Sequence, residues 1–167
     1  MKQEDPPSVH VWLVMMKAMQ AVGRYALTGI EARGLGDSDF RVLEVLLHKG
    51  PLPVNTIGPK VNLTPGSISV AVERLHAKGL VSRVESADDR RVRIVALTAK
   101  GRKLIEPVFR EHVAMLDQAF ADLSPADRRR LEESLKKVGR RAALLFDDAN
   151  SGKHPSGSGR RSTAASD

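Results

Sequence analysis

The run from Thr64 to Gly101, TPGSISVAVERLHAKGLVSRVESADDRRVRIVALTAKG, constrains the fold more than any other part of this chain. Thr64 is a helix N-cap residue type, and Pro65 follows at the first helical position, where a missing amide loses no hydrogen bond. Helical periodicity continues to about residue 78, and Gly79 is the residue type that ends helices in a left-handed conformation. Residues 81–85 and 92–97 are strand-like and are joined by the polar tip SADDRR, so they predict a hairpin. Thr98 then caps another long helix, reaching about residue 123.

On a helical wheel, Ile68, Ala71, Val72 and Leu75 fall within about 100° of arc and form a core face. The opposite face carries Gly66, Ser67, Ser69, Val70, Glu73, Arg74 and Ala77. A solvated helix face usually carries several long charged side chains, whereas this one is small and hydroxylic in its first turns. Small residues let helix amides approach phosphates. Hydroxyls bond phosphate or base edges, and the Val70 methyls can touch a thymine methyl. Arg74 can reach a phosphate or a guanine, and Glu73 can accept from cytosine or pair with a nearby cation. Taken alone, the face is equally compatible with a small, polar surface helix.

The hairpin tip sets Asp88 and Asp89 beside Arg90 and Arg91. An exposed arginine at such a tip can enter a minor groove, where negative potential favours guanidinium, and the neighbouring carboxylate can aim it. An isolated turn of this composition reads as a solvated, salt-bridged loop. Directly after the small-faced helix it reads differently, because the two elements can straddle one duplex. The order is that of a recognition helix followed by a wing, as in winged helix-turn-helix DNA-binding proteins.

The remaining segments frame this unit. A helix is predicted over 9–33, where Trp12, Met15, Met16, Met19, Val22, Ala26 and Ile30 recur at helical spacing. Gly34 and Gly36 end it, and Asp37 or Ser38 is expected to cap a second helix to Lys49, with Phe40, Leu43, Leu46 and Leu47 inside. Gly50, Pro51 and Pro53 mark a turn with a short strand, and a helix over 54–61 is expected to be short or kinked because it contains Pro59. The helix over 98–123 would turn Leu104, Ile105, Val108, His112, Leu116 and Phe120 inward, and a last helix over 124–146 aligns Leu131, Leu135, Val138, Ala142 and Leu145. Residues 1–8 are expected to be flexible, and the basic, Gly/Ser-rich stretch 147–167 to be disordered. Aromatic residues are only 4%, so the core must be aliphatic. A net charge of +7 suits a polyanionic partner but serves solubility as well. The chain has no cysteine, which closes thiol redox sensing and thiolate metal sites. Its start does not read as a signal peptide, and no segment has the length of apolar sequence that a membrane span needs. A cytoplasmic, nucleoid-associated protein without membrane contact is expected.

Residues 38–101 resemble the MarR family of bacterial winged-helix transcription regulators. The pieces that carry the resemblance are FRVLEVLLHKGPLPVNTIG, LTPGSISVAVERLHAKGLVSR, and the D-x-R wing at Asp89-Arg90-Arg91 followed by VRIVALTAKGRKL. The LT-x-x-G of Leu97 to Gly101 is typical of the family. The fold implied is mainly α with a small β-wing, a DNA-binding lobe over 38–97 within a domain over 9–146. The resemblance implies a homodimer built by 9–33 and 98–146, bound to a palindromic double-stranded DNA operator. It places Thr64, Pro65, Ser67, Ser69 and Val70 towards the groove and gives Arg74 a backbone-contacting or helix-bracing position. Arg91 matches the minor-groove arginine, Asp89 the residue that braces it, and Arg90 is a second candidate. Pro59 departs from the family pattern.

Many members of the family release DNA when a small aromatic compound binds between the two lobes. Trp12, Met15, Met16 and Met19 are expected either to line such a pocket, since methionine adapts its shape, or to form interface core. The histidines show no paired metal-ligand spacing, and no cofactor is expected. His112, on an apolar face, reads as a core or interface residue. No nucleophile elbow or phosphate-binding loop is present, so catalysis is not expected. The reading reached is a dimeric transcriptional repressor released from its operator by a small, aromatic effector. The rivals are a winged helix used for protein contact, which would present apolar residues on the outer helix face, and a nonspecific architectural DNA binder, which would be more basic.

Overall fold

The structure is a computed structural model that describes residues 7–85 and 92–151. The elements are α1 (Pro7–Glu31), α2 (Asp37–Lys49), β1 (Leu52–Pro53), α3 (Val54–Val61), α4 (Pro65–Ala77), β2 (Val81–Glu85), β3 (Arg93–Leu97), α5 (Ala99–Ala119) and α6 (Pro125–Ser151). The fold is mainly helical with one small antiparallel sheet, as expected. The strands lie in the order β1-β3-β2. Residue Val81 faces Leu97 and Glu85 faces Arg93, while Leu52 faces Val95 across the other edge. The buried side chain of the wing strand is Val95, with Ile94 only partly buried.

The core is aliphatic apart from Phe40. Phe40, Val42, Leu43 and Leu46 of α2 meet Ile68, Ala71, Val72 and Leu75 of α4, closed by Ile57, Val95, Ile105 and Val108. The wheel of α4 therefore holds: its four predicted core residues are the four that are buried. Helix α4 begins as its sequence dictates, with the Thr64 hydroxyl accepting from the Ser67 amide at 3.2 Å. It ends at Gly79, whose φ of +68° is the left-handed conformation glycine favours. The Gly79 amide donates to His76 O at 2.8 Å and the Leu80 amide to Leu75 O at 2.9 Å, the paired bonds that close a Schellman end. Thr98 caps α5 by accepting from the Gly101 amide at 3.0 Å.

Several boundaries differ from expectation. Helix α1 already begins at Pro7, a favoured first helical residue, so residues 7 and 8 are helical. The residue preceding α2 is Gly36, and neither Asp37 nor Ser38 caps it. Their side chains are engaged elsewhere: Asp37 accepts from Arg41, and Ser38 from Arg74. Helix α3, by contrast, keeps the expected span of Val54–Val61 with Pro59 inside it, and its C-cap Asn62 is left-handed at a φ of 53°. Helix α5 stops at Ala119, with Phe120 as its C-cap.

The described residues form two compact units, divided between Phe120 and Ala121. The second unit is built on α6, which Ser124 caps by accepting from the Asp127 amide at 3.1 Å. Helix α6 continues to Ser151, so residues 147–151 belong to it and not to a disordered tail. Polar residues alone do not stop a helix, and after Gly139 the next glycine comes only at 152. Its aligned Leu131, Leu135, Val138 and Leu145 are exposed. No helix among the described residues is long and apolar enough to cross a membrane.

Candidate nucleic-acid interface

With Ile68, Ala71, Val72 and Leu75 held in the core, the helical repeat turns Pro65, Ser67, Ser69, Val70 and Arg74 outward. All are exposed, Val70 to 60%. The Thr64 and Ser67 hydroxyls lie 2.9 Å apart, and Ser69 Oγ donates to Pro65 O at 3.0 Å. These local bonds hold the hydroxyl oxygens in place on an exposed face. The outer face of the first turns is thus small, hydroxylic and pre-arranged.

Three interactions orient α4. The Glu73 carboxylate accepts from Arg83 Nη1 of β2 at 2.6 Å, tying the helix to the hairpin. Lys100 Nζ at the start of α5 donates to Lys78 O at 2.8 Å, satisfying a carbonyl at the end of α4. The third is between helices. Arg74 Nε lies 2.9 Å from both carboxylate oxygens of Asp39, its Nη2 donates to Asp39 Oδ1 at 2.5 Å, and Nη2 also reaches Ser38 Oγ at 3.1 Å. Asp39 is only 2% exposed and is the buried charged residue of the described chain. Hydrogen bonding to Asp39 holds the Arg74 guanidinium above its ordinary pKa, partly opposed by desolvation. Arg74 therefore stands in the bracing geometry. Sequence reading missed Asp39, although an acidic residue beside Phe40 and Val42 on an inner face was a signal that a cation must come to meet it.

At the hairpin, Arg93 pairs with Glu85 at 3.1 Å across the strand ends. The tip residues Asp89, Arg90 and Arg91 lie outside the described residues. Between α3, α4 and the hairpin base is a cavity of about 650 Å3, bordered by Pro65, Ser69, Glu73, Arg83 and Arg93.

The candidate pocket residues all lie on α1. Trp12, Met16 and Met19 are exposed on α1, Trp12 to 55% and Met19 to 67%, and Met15 is only partly buried. None of them lines the cavity between α1, α2, α3 and α5. That cavity, of about 440 Å3, is bordered instead by Val22, Ala26, Phe40, Arg41, His112 and Leu116. Within this chain the buried residues of α1 are Ala26 and Ile30, in its C-terminal half. His112 sits against Phe40 with ring centroids 4.8 Å apart, and its Nδ1 is buried without a hydrogen-bond partner among the described residues.

Comparison with known proteins agrees with this architecture. The MarR family profile matches residues 33–92. The HTH-type transcriptional regulator MhqR of Bacillus subtilis is 36% identical over 132 residues, covering 79% of this chain and 91% of that protein. The HTH-type transcriptional repressor MdtR of the same organism is 26% identical over 124 residues, covering 74% and 80%. Among solved structures, Bordetella bronchiseptica BpsR, whose DNA binding is regulated by 6-hydroxynicotinic acid, superposes with a TM-score of 0.71 at 25% identity, covering 78% of this chain and 98% of that one.

Proposed function

This chain belongs to the MarR family of DNA-binding transcriptional regulators, and we propose that it is a homodimeric, sequence-specific repressor of neighbouring genes, released from a palindromic operator by a small aromatic ligand. The observation that carries the DNA-reading part is the outer face of α4. Ser67, Ser69 and Val70 are exposed, small and directed by local bonds, while three interactions fix the helix beneath them. In this reading Thr64, Pro65, Ser67, Ser69 and Val70 enter the major groove and Arg74 braces their helix. Arg91, aimed by Asp89 and assisted by Arg90, enters the adjacent minor groove.

Exposed apolar helix faces support the dimer. Val11, Trp12, Met16 and Met19 on α1, and Leu135, Val138, Leu145 and Phe146 on α6, are too many large hydrophobes to leave in water. The Trp12 to Met19 stripe is then interface rather than pocket. The ligand site is the cavity beside Phe40 and His112, which is concave, mostly apolar and bordered by the Arg41 side chain. The small-molecule control of BpsR and the repressor role of MdtR favour the same assignment here.

The test is a salt series of binding to the DNA upstream of the chain's own gene, with random duplex as control. Selective binding that falls steeply with salt is the expected result. Equal binding to both duplexes would replace the regulator by an architectural role. Absence of binding at low salt would leave protein contact as the function of the winged helix.

A further inference from the structure

Asp39 has no surface of its own to offer a partner, yet it holds the cation of Arg74, and Lys78 Nζ stands 3.9 Å from its other oxygen. Both cations sit on the last turns of the helix proposed to read DNA. Each remains partly exposed, so each can reach outward if released. We propose that Asp39 is a specificity-determining residue: by holding Arg74 and Lys78 it withholds sequence-independent phosphate contacts from the recognition helix, so that binding depends on the small groove-facing residues. This rests on α4 being the reading helix.

The physical argument is one of competition. A phosphate offers a cation a single charge in high-dielectric surroundings. Asp39 offers the same charge from a buried position, through several hydrogen bonds already formed and shared with Ser38. A guanidinium satisfied this way releases no DNA counterion on binding. Sequence-independent affinity, which comes from neutralised phosphates, is correspondingly lower, and the ratio of operator to random binding is higher. The same contact couples α2 to α4, but a coupling role alone does not predict the sign of a change in salt dependence.

The experiment measures the slope of log affinity against log salt, for operator and random duplex, on the full chain. Asp39→Asn should steepen the slope by about 0.9 for each cation freed, hence by about 1.8 for one cation on each chain of the dimer, an extra loss of about 12-fold in affinity between 50 and 200 mM salt. Random-duplex affinity at low salt should rise and the operator-to-random ratio fall. Adding Arg74→Gln and Lys78→Gln to Asp39→Asn should return the slope to that of the unsubstituted chain, and Asp39→Glu should preserve it. Should Asp39→Asn fail to fold by circular dichroism, Arg74→Gln alone decides, because a withheld cation predicts an unchanged slope. The proposal is overturned if folded Asp39→Asn keeps the original slope, or if Arg74→Gln alone lowers it. An unsubstituted chain that binds no DNA overturns both this proposal and the reading of α4. Normal operator binding with an unresponsive Asp39→Asn overturns only this one.

Discussion

Replacing Gly101 by alanine should destabilise this protein far more than its place in the first turn of a helix suggests. A Cβ built at residue 101 stands 1.9 Å from the Leu80 carbonyl oxygen and 2.9 Å from its carbon. Both are backbone atoms, so no side-chain rotation relieves the overlap, and the start of α5 must move by about 1 Å or more from the turn after α4. That oxygen accepts the Thr98 amide at 3.1 Å, and the amide of Gly101 is itself the donor to the Thr98 cap. Overpacking costs about 1–3 kcal/mol, the strained backbone bond about 1 and the disturbed cap about 1, against about 1 kcal/mol gained from alanine's helix propensity. The net expectation is a loss of about 2–4 kcal/mol, seen as a fall of about 5–12 °C in melting temperature at fixed protein concentration. Gly23→Ala and Gly139→Ala are the controls: nothing lies within 4 Å of a Cβ at either, so both should melt at or slightly above the unsubstituted protein. A Gly101→Ala protein that melts with those controls would falsify the close approach and, with it, the physical reason for the glycine in LT-x-x-G.

Other substitutions probe the interface and its supports. Arg91→Ala should weaken operator binding by about 1–3 kcal/mol in a mobility-shift titration if its contact is to base edges, and unchanged affinity for both Arg91→Ala and Arg90→Ala would remove the wing from the mechanism. Thr64→Ala removes the cap of α4 and should cost about 1 kcal/mol in urea denaturation; no loss would show that the 3.2 Å bond to the Ser67 amide carries no weight. Leu75→Ala, in the fully buried face of α4, should cost about 2–5 kcal/mol, and a loss near that of an exposed site would contradict the packing of α2 on α4. Val138→Asp, on the exposed apolar face of α6, should shift sedimentation towards monomer without loss of helicity; an unaltered dimer would take α6 out of the interface.

Local interactions were legible in the chain. Thr64-Pro65, Gly79 and Thr98 act through bonds spanning only a few residues, so residue type and spacing suffice to place the ends of α4 and the start of α5. The buried stripe of α4 follows from helical periodicity, and the winged-helix order follows from these elements taken together. Long-range pairing was not legible. Asp39 and Arg74 are separated by 35 residues, and the wheel placed Arg74 outward, where it is free to contact DNA. Only the packing of α2 against α4 brings a buried carboxylate beneath it and turns a candidate contact into a brace. The same limit applies to α1. Its stripe from Trp12 to Ile30 has one helical period throughout, but Ala26 and Ile30 enter the core while Trp12 and Met19 face out. Periodicity reports that a face is apolar; what covers it depends on where the other elements end, and that is decided only when the chain folds.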